Sequence, residues 1–161
     1  MQKNSSTTIT IRPYRASDTA DIISLFHAAV HTIARQDYSA EQCAAWAPEH
    51  LDPSMWESRL KNNHTFVAEH AGTIIGFADI TDNGSLEHLY VHPNWQGGRV
   101  SLRLLKAIEQ SARELGLQKI TTHCSITAKI PAQRMGFVVL NEQTVTRKGV
   151  TLTNYVMEKK L

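Results

Sequence analysis

The sequence predicts an α/β (α+β) fold: one mixed, mostly antiparallel sheet of about seven strands, flanked by helices on both faces. Three observations carry this expectation. Residues 18–60 repeat apolar side chains at helical spacing, residues 65–91 switch to strand-like runs parted by glycine turns, and residues 92–157 alternate strand and helix before a closing hairpin. Hairpins give antiparallel neighbours, whereas strand–helix–strand units need a crossover, so the sheet is mixed.

Each element has a local reason. After a polar tail over residues 1–8, TITIRPY alternates β-branched and polar residues as a half-buried strand does. Arg15-Ala16-Ser17-Asp18 offers a helix N-cap, followed by Ile22, Ile23, Phe26, Ala29, Val30 and Ile33 on one helical stripe. A second helix fits Ala40 to Trp46, stopped by Pro48, and a third fits Pro53 to Leu60, with Pro53 at a first helical position. Thr65–Glu69 and Thr73–Ile80 form a hairpin about His70-Ala71-Gly72, and Asn83-Gly84 turns the chain into a strand over Ser85–Val91. An amphipathic helix then runs to Leu115 with Gly116 as C-cap. Lys119–Cys124 is a strand, Thr127–Met135 a short helix, and Phe137–Thr146 with Thr151–Met157 the closing pair. No repeat or linker divides residues 9–161, which read as one domain.

Bulk properties exclude several classes. A 161-residue chain with 42% hydrophobic and 20% charged residues is an ordinary globular protein rather than a disordered one. A net charge of +2 argues against a nucleic-acid partner. No apolar run approaches a membrane span and the first residues carry no apolar signal core, so a cytoplasmic location is the expectation. Cys43 and Cys124 stand alone without metal-ligand spacing and read as buried thiols, with neither a metal nor a disulfide implied.

One stretch asks for a ligand. In His92-Pro93-Asn94-Trp95-Gln96-Gly97-Gly98-Arg99, a strand end turns on two glycines straight into a helix. A helix start leaves backbone N–H groups unpartnered and carries partial positive charge, so it attracts phosphate. The spacing is neither that of a Walker loop nor that of a dinucleotide fingerprint. What remains is Val91, Pro93, Trp95, Gln96, Gly97, Val100, Leu104 and Leu105 in one pattern, and this resembles motif A of the GNAT superfamily of acetyl-coenzyme A-dependent N-acetyltransferases. Ile11-Arg12-Pro13, Gly76-Phe77-Ala78 and Met135-Gly136-Phe137 extend the resemblance along the chain. Asp37-Tyr38-Ser39, Ala45-Trp46-Ala47, Ala128-Lys129, Gly149-Val150 and Thr153-Asn154-Tyr155 are similar to the YafP-like branch.

The resemblance implies acetyl-coenzyme A as cosubstrate, without a metal. Its pyrophosphate would lie on Gln96, Gly97, Gly98, Arg99, Val100 and Ser101, and its pantetheine arm along Leu89, Tyr90 and Val91, splayed from a strand ending near Ser125. Arg99 stands where the family usually has glycine, and Ser101 where it has glycine or alanine. Arginine is disfavoured if that backbone has positive φ; on an ordinary helical turn it adds a guanidinium beside the phosphates. Ala132 stands where many relatives carry the tyrosine that protonates the leaving thiolate, which leaves Tyr90, Tyr155 or water for that role.

Acetyl transfer needs a neutral amine, hence a base. Strict alternation over Ser85–Val91 places Glu87, Leu89 and Val91 on one face and Leu86, His88 and Tyr90 on the other, so Glu87 and His88 exclude each other as direct participants. Glu87, acting through water, is the expected base, against the bland role of an ion pair with Arg12 or Arg59; His88 is the alternative, and Asp79 and Asp82 are weaker carboxylates. His27, His31, Tyr38 and Trp46 are the expected acceptor-binding residues, with Trp56 nearby in sequence; His27 and His31 share a helix face but lack a third metal ligand. The expected reaction is direct attack by a small-molecule primary amine on the thioester in a ternary complex. A coenzyme A-binding sensor and a transferase acting on protein or tRNA are the rival readings, and related proteins alone suggest a homodimer.

Overall fold

The computed structural model describes residues 8–161, so the expected tail over 1–8 lies outside the described residues but for Thr8. The chain runs through β1 (Thr10–Pro13), α1 (Thr19–Thr32), α2 (Ala40–Trp46), α3 (Pro53–Asn62), β2 (His64–His70), β3 (Thr73–Ile80), β4 (Ser85–Val91), α4 (Arg99–Glu114), β5 (Lys119–Ser125), α5 (Ile126–Arg134), β6 (Val138–Arg147) and β7 (Val150–Lys160). The element order is the one expected. The strands form one seven-stranded sheet in the order β1-β2-β3-β4-β5-β7-β6, antiparallel at every pairing except β4 with β5.

Each face of the sheet buries its own core. On one side Ile75, Ala78, Leu86 and Val91 pack with Val100, Leu104, Leu105 and Ile108 of α4; on the other Val67, Phe77 and Leu152 pack with Ile22, Phe26 and Val30 of α1 and Trp56 and Leu60 of α3. Gly76 explains how closely α4 lies: a Cβ there would meet Leu104 Cδ1 and Val100 Cγ1 at 3.0 Å and the Tyr90 carbonyl at 3.1 Å, so any side chain would have to push the helix contacts outward. Among the described residues no helix is long and apolar enough to cross a membrane.

One local expectation is corrected. In the stretch Arg15-Ala16-Ser17-Asp18, Asp18 takes the N-cap position of α1 but its side chain makes no cap hydrogen bond to the helix. Its carboxylate accepts from the Arg15 backbone N–H at 2.8 Å and from Arg12 at 2.9 Å, closing the tight turn that precedes the helix and tying β1 to it. The Arg12 guanidinium holds the Asp18 carboxyl below the usual carboxylate range.

Candidate active site

The site begins where the sheet comes apart. β3 holds β4 in register as far as Gly76↔Val91, and β7 holds β5 from Lys119↔Lys160 to Ser125↔Asn154. Between β4 and β5 themselves only Ser85↔Thr121 and Leu86↔Thr122 are paired. Each strand follows its outer neighbour, so the inner edges diverge beyond Leu86 and Thr122. Two backbone edges without strand partners then face a wedge, and such an edge is a template for another polar backbone or for the amides of a ligand arm.

At the wide end of β4 the chain passes through Pro93–Trp95 and enters α4. Gly97 and Gly98 take φ of 119° and 88°, while Arg99 is the first residue of α4. The left-handed conformation therefore falls on glycines, and Arg99 sits on ordinary helical backbone. Of the two cases left open for this arginine, the unstrained one holds. No side chain caps α4, and its first intrahelical bond runs from the Leu102 N–H to the Gly98 carbonyl at 2.9 Å, so the N–H groups of the first turn have no helical acceptor. Gln96 turns away from them: its side-chain amide donates to the Val91 carbonyl at 2.9 Å, fixing the turn to the strand end. Trp95 packs against His70 with ring centroids 4.9 Å apart and the planes tilted by 52°, which anchors the same turn to β2.

Two cavities occupy the wedge. The first, of about 210 Å³, is lined by Leu89, Val91, Gln96, Ser101, Cys124 and Ala132 among others. The second, of about 340 Å³, lies toward α1–α3 and β7 and is lined by Phe26, Trp56, Arg59, His88, Arg147 and Asn154 among others. Trp46, Leu86, Glu87, Tyr90, His123 and Ser125 border both. The cavities therefore meet at the split in the sheet.

Glu87 stands at that junction for a reason strict alternation misses. The β3–β4 register runs Asp79↔His88 and then Ile80↔Leu86, so Glu87 is the extra residue of a β-bulge. The bulge resets the pleat. Leu86 joins Leu89 and Val91 in the α4-side core, and Glu87 and His88 both border the second cavity. The expectation that the two occupy opposite faces is corrected. Glu87 accepts from Arg59 at 3.1 Å and from the Ser85 hydroxyl at 2.9 Å, while Arg12 binds Asp18 and Glu69 instead. His88 is held from behind. Its Nδ1 lies 2.7 Å from the Asp79 carboxylate, which is fully buried and also accepts from the Asn63 side chain at 2.9 Å. The imidazole is packed against Trp56 at 5.1 Å and Phe77 at 5.7 Å.

The remaining expected residues divide cleanly. Leu89, Tyr90, Val91, Gln96, Ser101 and Ser125 line the first cavity; Ser125 also caps α5, accepting from the Ala128 N–H at 3.1 Å. Gly97, Gly98, Arg99 and Val100 form the turn beside it. Burial pushes the Tyr90 phenol well above its ordinary range and the Cys124 thiol up to about 12, so both stay protonated. Trp46 borders both cavities. Tyr38 lines the second, but its hydroxyl donates to the Thr153 carbonyl at 2.6 Å and accepts from the Ile126 N–H at 2.9 Å, which makes it a pin between β7 and α5.

Three expected residues lie away from the wedge. His27 and His31 stack at 4.1 Å outside both cavities, and the His31 Nε2 lies 2.7 Å from the Ala47 carbonyl. Tyr155 borders neither cavity, its hydroxyl donating to Glu142 at 3.4 Å. Sequence reasoning missed His123, Arg147 and Asn154 as lining residues. Position on β5 facing the predicted splay was the available signal for His123; for Arg147 and Asn154 it was the family resemblance, which implies acceptor recognition by the closing hairpin as well as by the first helices.

Comparison with known proteins agrees with this geometry. Residues 34–159 match the acetyltransferase (GNAT) domain family. The chain is 33% identical over 152 residues to the uncharacterized N-acetyltransferase YafP of Escherichia coli K12, covering 94% of this chain and 96% of that protein. A GCN5-related N-acetyltransferase from Rhodopseudomonas palustris superposes with a TM-score of 0.92 at 32% identity, covering 96% of this chain and 97% of the other. The PaiA N-acetyltransferase of Thermoplasma acidophilum, solved in complex with coenzyme A, shares the fold with a TM-score of 0.78 at 19% identity, over 96% and 99% of the two chains. A split sheet, a glycine turn and an uncapped helix start thus coincide with a family match across most of the chain, and the protein belongs to the GNAT family of acetyltransferases.

Proposed function

We propose that this enzyme transfers an acetyl group from acetyl-coenzyme A to the primary amine of a small molecule, by direct attack within a ternary complex. The observation that carries the proposal is the junction of two cavities at Glu87, one running to the open start of α4 and the other to an aromatic chamber. A donor and an acceptor entering from opposite sides would meet there, and holding two reactants in register is itself a large part of catalysis.

The residues present fit the cosubstrate. The N–H groups of Arg99, Val100 and Ser101 would hold the pyrophosphate, with the Arg99 guanidinium alongside, and the unpaired edge of Leu89–Val91 would take the amides of the arm. The thioester supplies an acyl carbon already activated for attack. Glu87 then serves as base, directly or through one water, for the amine in the second cavity. Tyr90, which borders both cavities, is the phenol placed to return a proton to the leaving sulfur; Tyr155 is not.

The test is isothermal titration with acetyl-coenzyme A and coenzyme A, followed by amine-dependent release of free thiol. Micromolar binding and thiol release with a primary amine are expected. Absence of binding by either compound overturns the proposal.

A further inference from the structure

The chamber that would receive the acceptor is more particular than a generic amine pocket. Its walls are aromatic, with Phe26, Trp46, Trp56 and Tyr90 around the space. Its charges are unbalanced. Arg59 and Arg147 line it, with Glu87 as the carboxylate among the lining residues, while Asp79 is fully buried behind His88. Arg147 has no carboxylate partner among the described residues. Arg59 touches Glu87 through one terminal nitrogen at 3.1 Å, which leaves the rest of its planar fork free.

We propose that the acceptor is a free α-amino acid with an apolar side chain, read as a zwitterion by the adjacent Arg59 and Glu87, with Arg147 as a second hold on its carboxylate. The spacing is the argument. In an α-amino acid the ammonium and carboxylate are separated by one carbon, and Arg59 and Glu87 present the complementary charges in direct contact. A molecule of this class lays its carboxylate on the guanidinium and its nitrogen toward Glu87 at once, while its side chain enters the aromatic chamber. A polyamine brings only positive charge to two guanidiniums and is disfavoured. A peptide N-terminus has an amide where the arginines call for a charge.

The step balances. The ammonium gives one proton to Glu87; the neutral nitrogen then forms a bond to the acetyl carbon as the carbon–sulfur bond breaks. The second nitrogen-bound proton ends on sulfur, and Glu87 returns the first to solvent. The products are an N-acetylamino acid, free coenzyme A and one proton.

The inference rests on the acyl-transfer reading above, and the test separates the two. Thiol release is followed with L-phenylalanine, L-phenylalaninamide, phenethylamine and spermidine, on enzyme already shown by titration to bind acetyl-coenzyme A. The expected kcat/KM for L-phenylalanine exceeds that of each other amine by tenfold or more, the scale of one charge-assisted contact. Arg147→Gln is expected to raise KM for L-phenylalanine about tenfold and to leave phenethylamine within about twofold. A merely structural role for Arg147 would impair both substrates alike and overturns its assignment. Equal or better turnover of the amide, of phenethylamine or of spermidine overturns the zwitterion inference and leaves the acetyltransferase standing. Loss of turnover with every amine, despite cofactor binding, overturns both, and failure to bind acetyl-coenzyme A does the same at the first step.

Discussion

The Thr122 hydroxyl donates to the Leu86 carbonyl at 3.0 Å at the last paired position between the two parallel strands. It is a side-chain stitch at the point where backbone pairing ends, and it sets where the wedge begins. Thr122→Val keeps the shape and removes the donor, so the Leu86 carbonyl loses this hydrogen bond. A loss of about 1 kcal/mol is expected on thermal or urea denaturation. Because the wedge loses its apex, affinity for coenzyme A should fall several-fold by titration, whereas a distant surface threonine changed in the same way should move neither.

Glu87 and His88 now share one chamber, so the choice of base is a matter for kinetics rather than geometry. Glu87→Gln retains size and the contact to Ser85 but cannot accept a proton. A fall in kcat of about a hundredfold or more is expected, with the dissociation constant for coenzyme A unchanged. Asp79→Asn leaves Glu87 in place and disturbs the buried carboxylate that supports His88 and accepts from Asn63, so its effect on kcat should be the smaller. The reverse ranking would move the base from Glu87 to His88.

The elements were legible because each is written locally: period, caps, glycine turns. The glycine turn was legible because Gly97, Gly98 and the helix after them are contiguous. The bulge at Glu87 was not, since one extra residue in a strand leaves no mark in composition and shows only against the partner strand, where Asp79 meets His88 and Ile80 meets Leu86. Arg59 and Arg147 come to the chamber from a helix and from a distant hairpin. Their convergence is a property of the sheet order. Tyr38 was expected to meet substrate because it is an aromatic in an early variable segment. Its two hydrogen bonds, to β7 and to α5, are long-range facts.

Positive φ at Gly98 makes the phosphate turn testable without touching any side chain. A Cβ there meets nothing within 4 Å, so Gly98→Ala is penalised by backbone conformation alone. That conformation costs an L-residue roughly 1–2 kcal/mol. Lower melting temperature and weaker coenzyme A binding are expected together. Arg99→Ala, on helical backbone, should leave stability within about 0.5 kcal/mol. Its effect should be confined to cofactor affinity and should shrink as salt is added.

Two groups with lowered pKa values give the pH dependence of stability two separate windows. Burial, and then the stacked His31, hold the His27 imidazole below its ordinary value of about 6.5. The folded state therefore binds fewer protons than the unfolded chain in this range, and stability falls as pH drops from about 6.5 through the folded pKa. The second window lies lower. Asp18, held down chiefly by Arg12, contributes stability that is complete above the ordinary aspartate range and is lost as pH falls through its own lowered value. Melting temperatures measured from pH 8 downward should show both declines. His27→Gln should flatten the upper one and leave the lower, Asp18→Asn should do the opposite, and an unchanged upper decline in the His27 variant would assign it to other histidines.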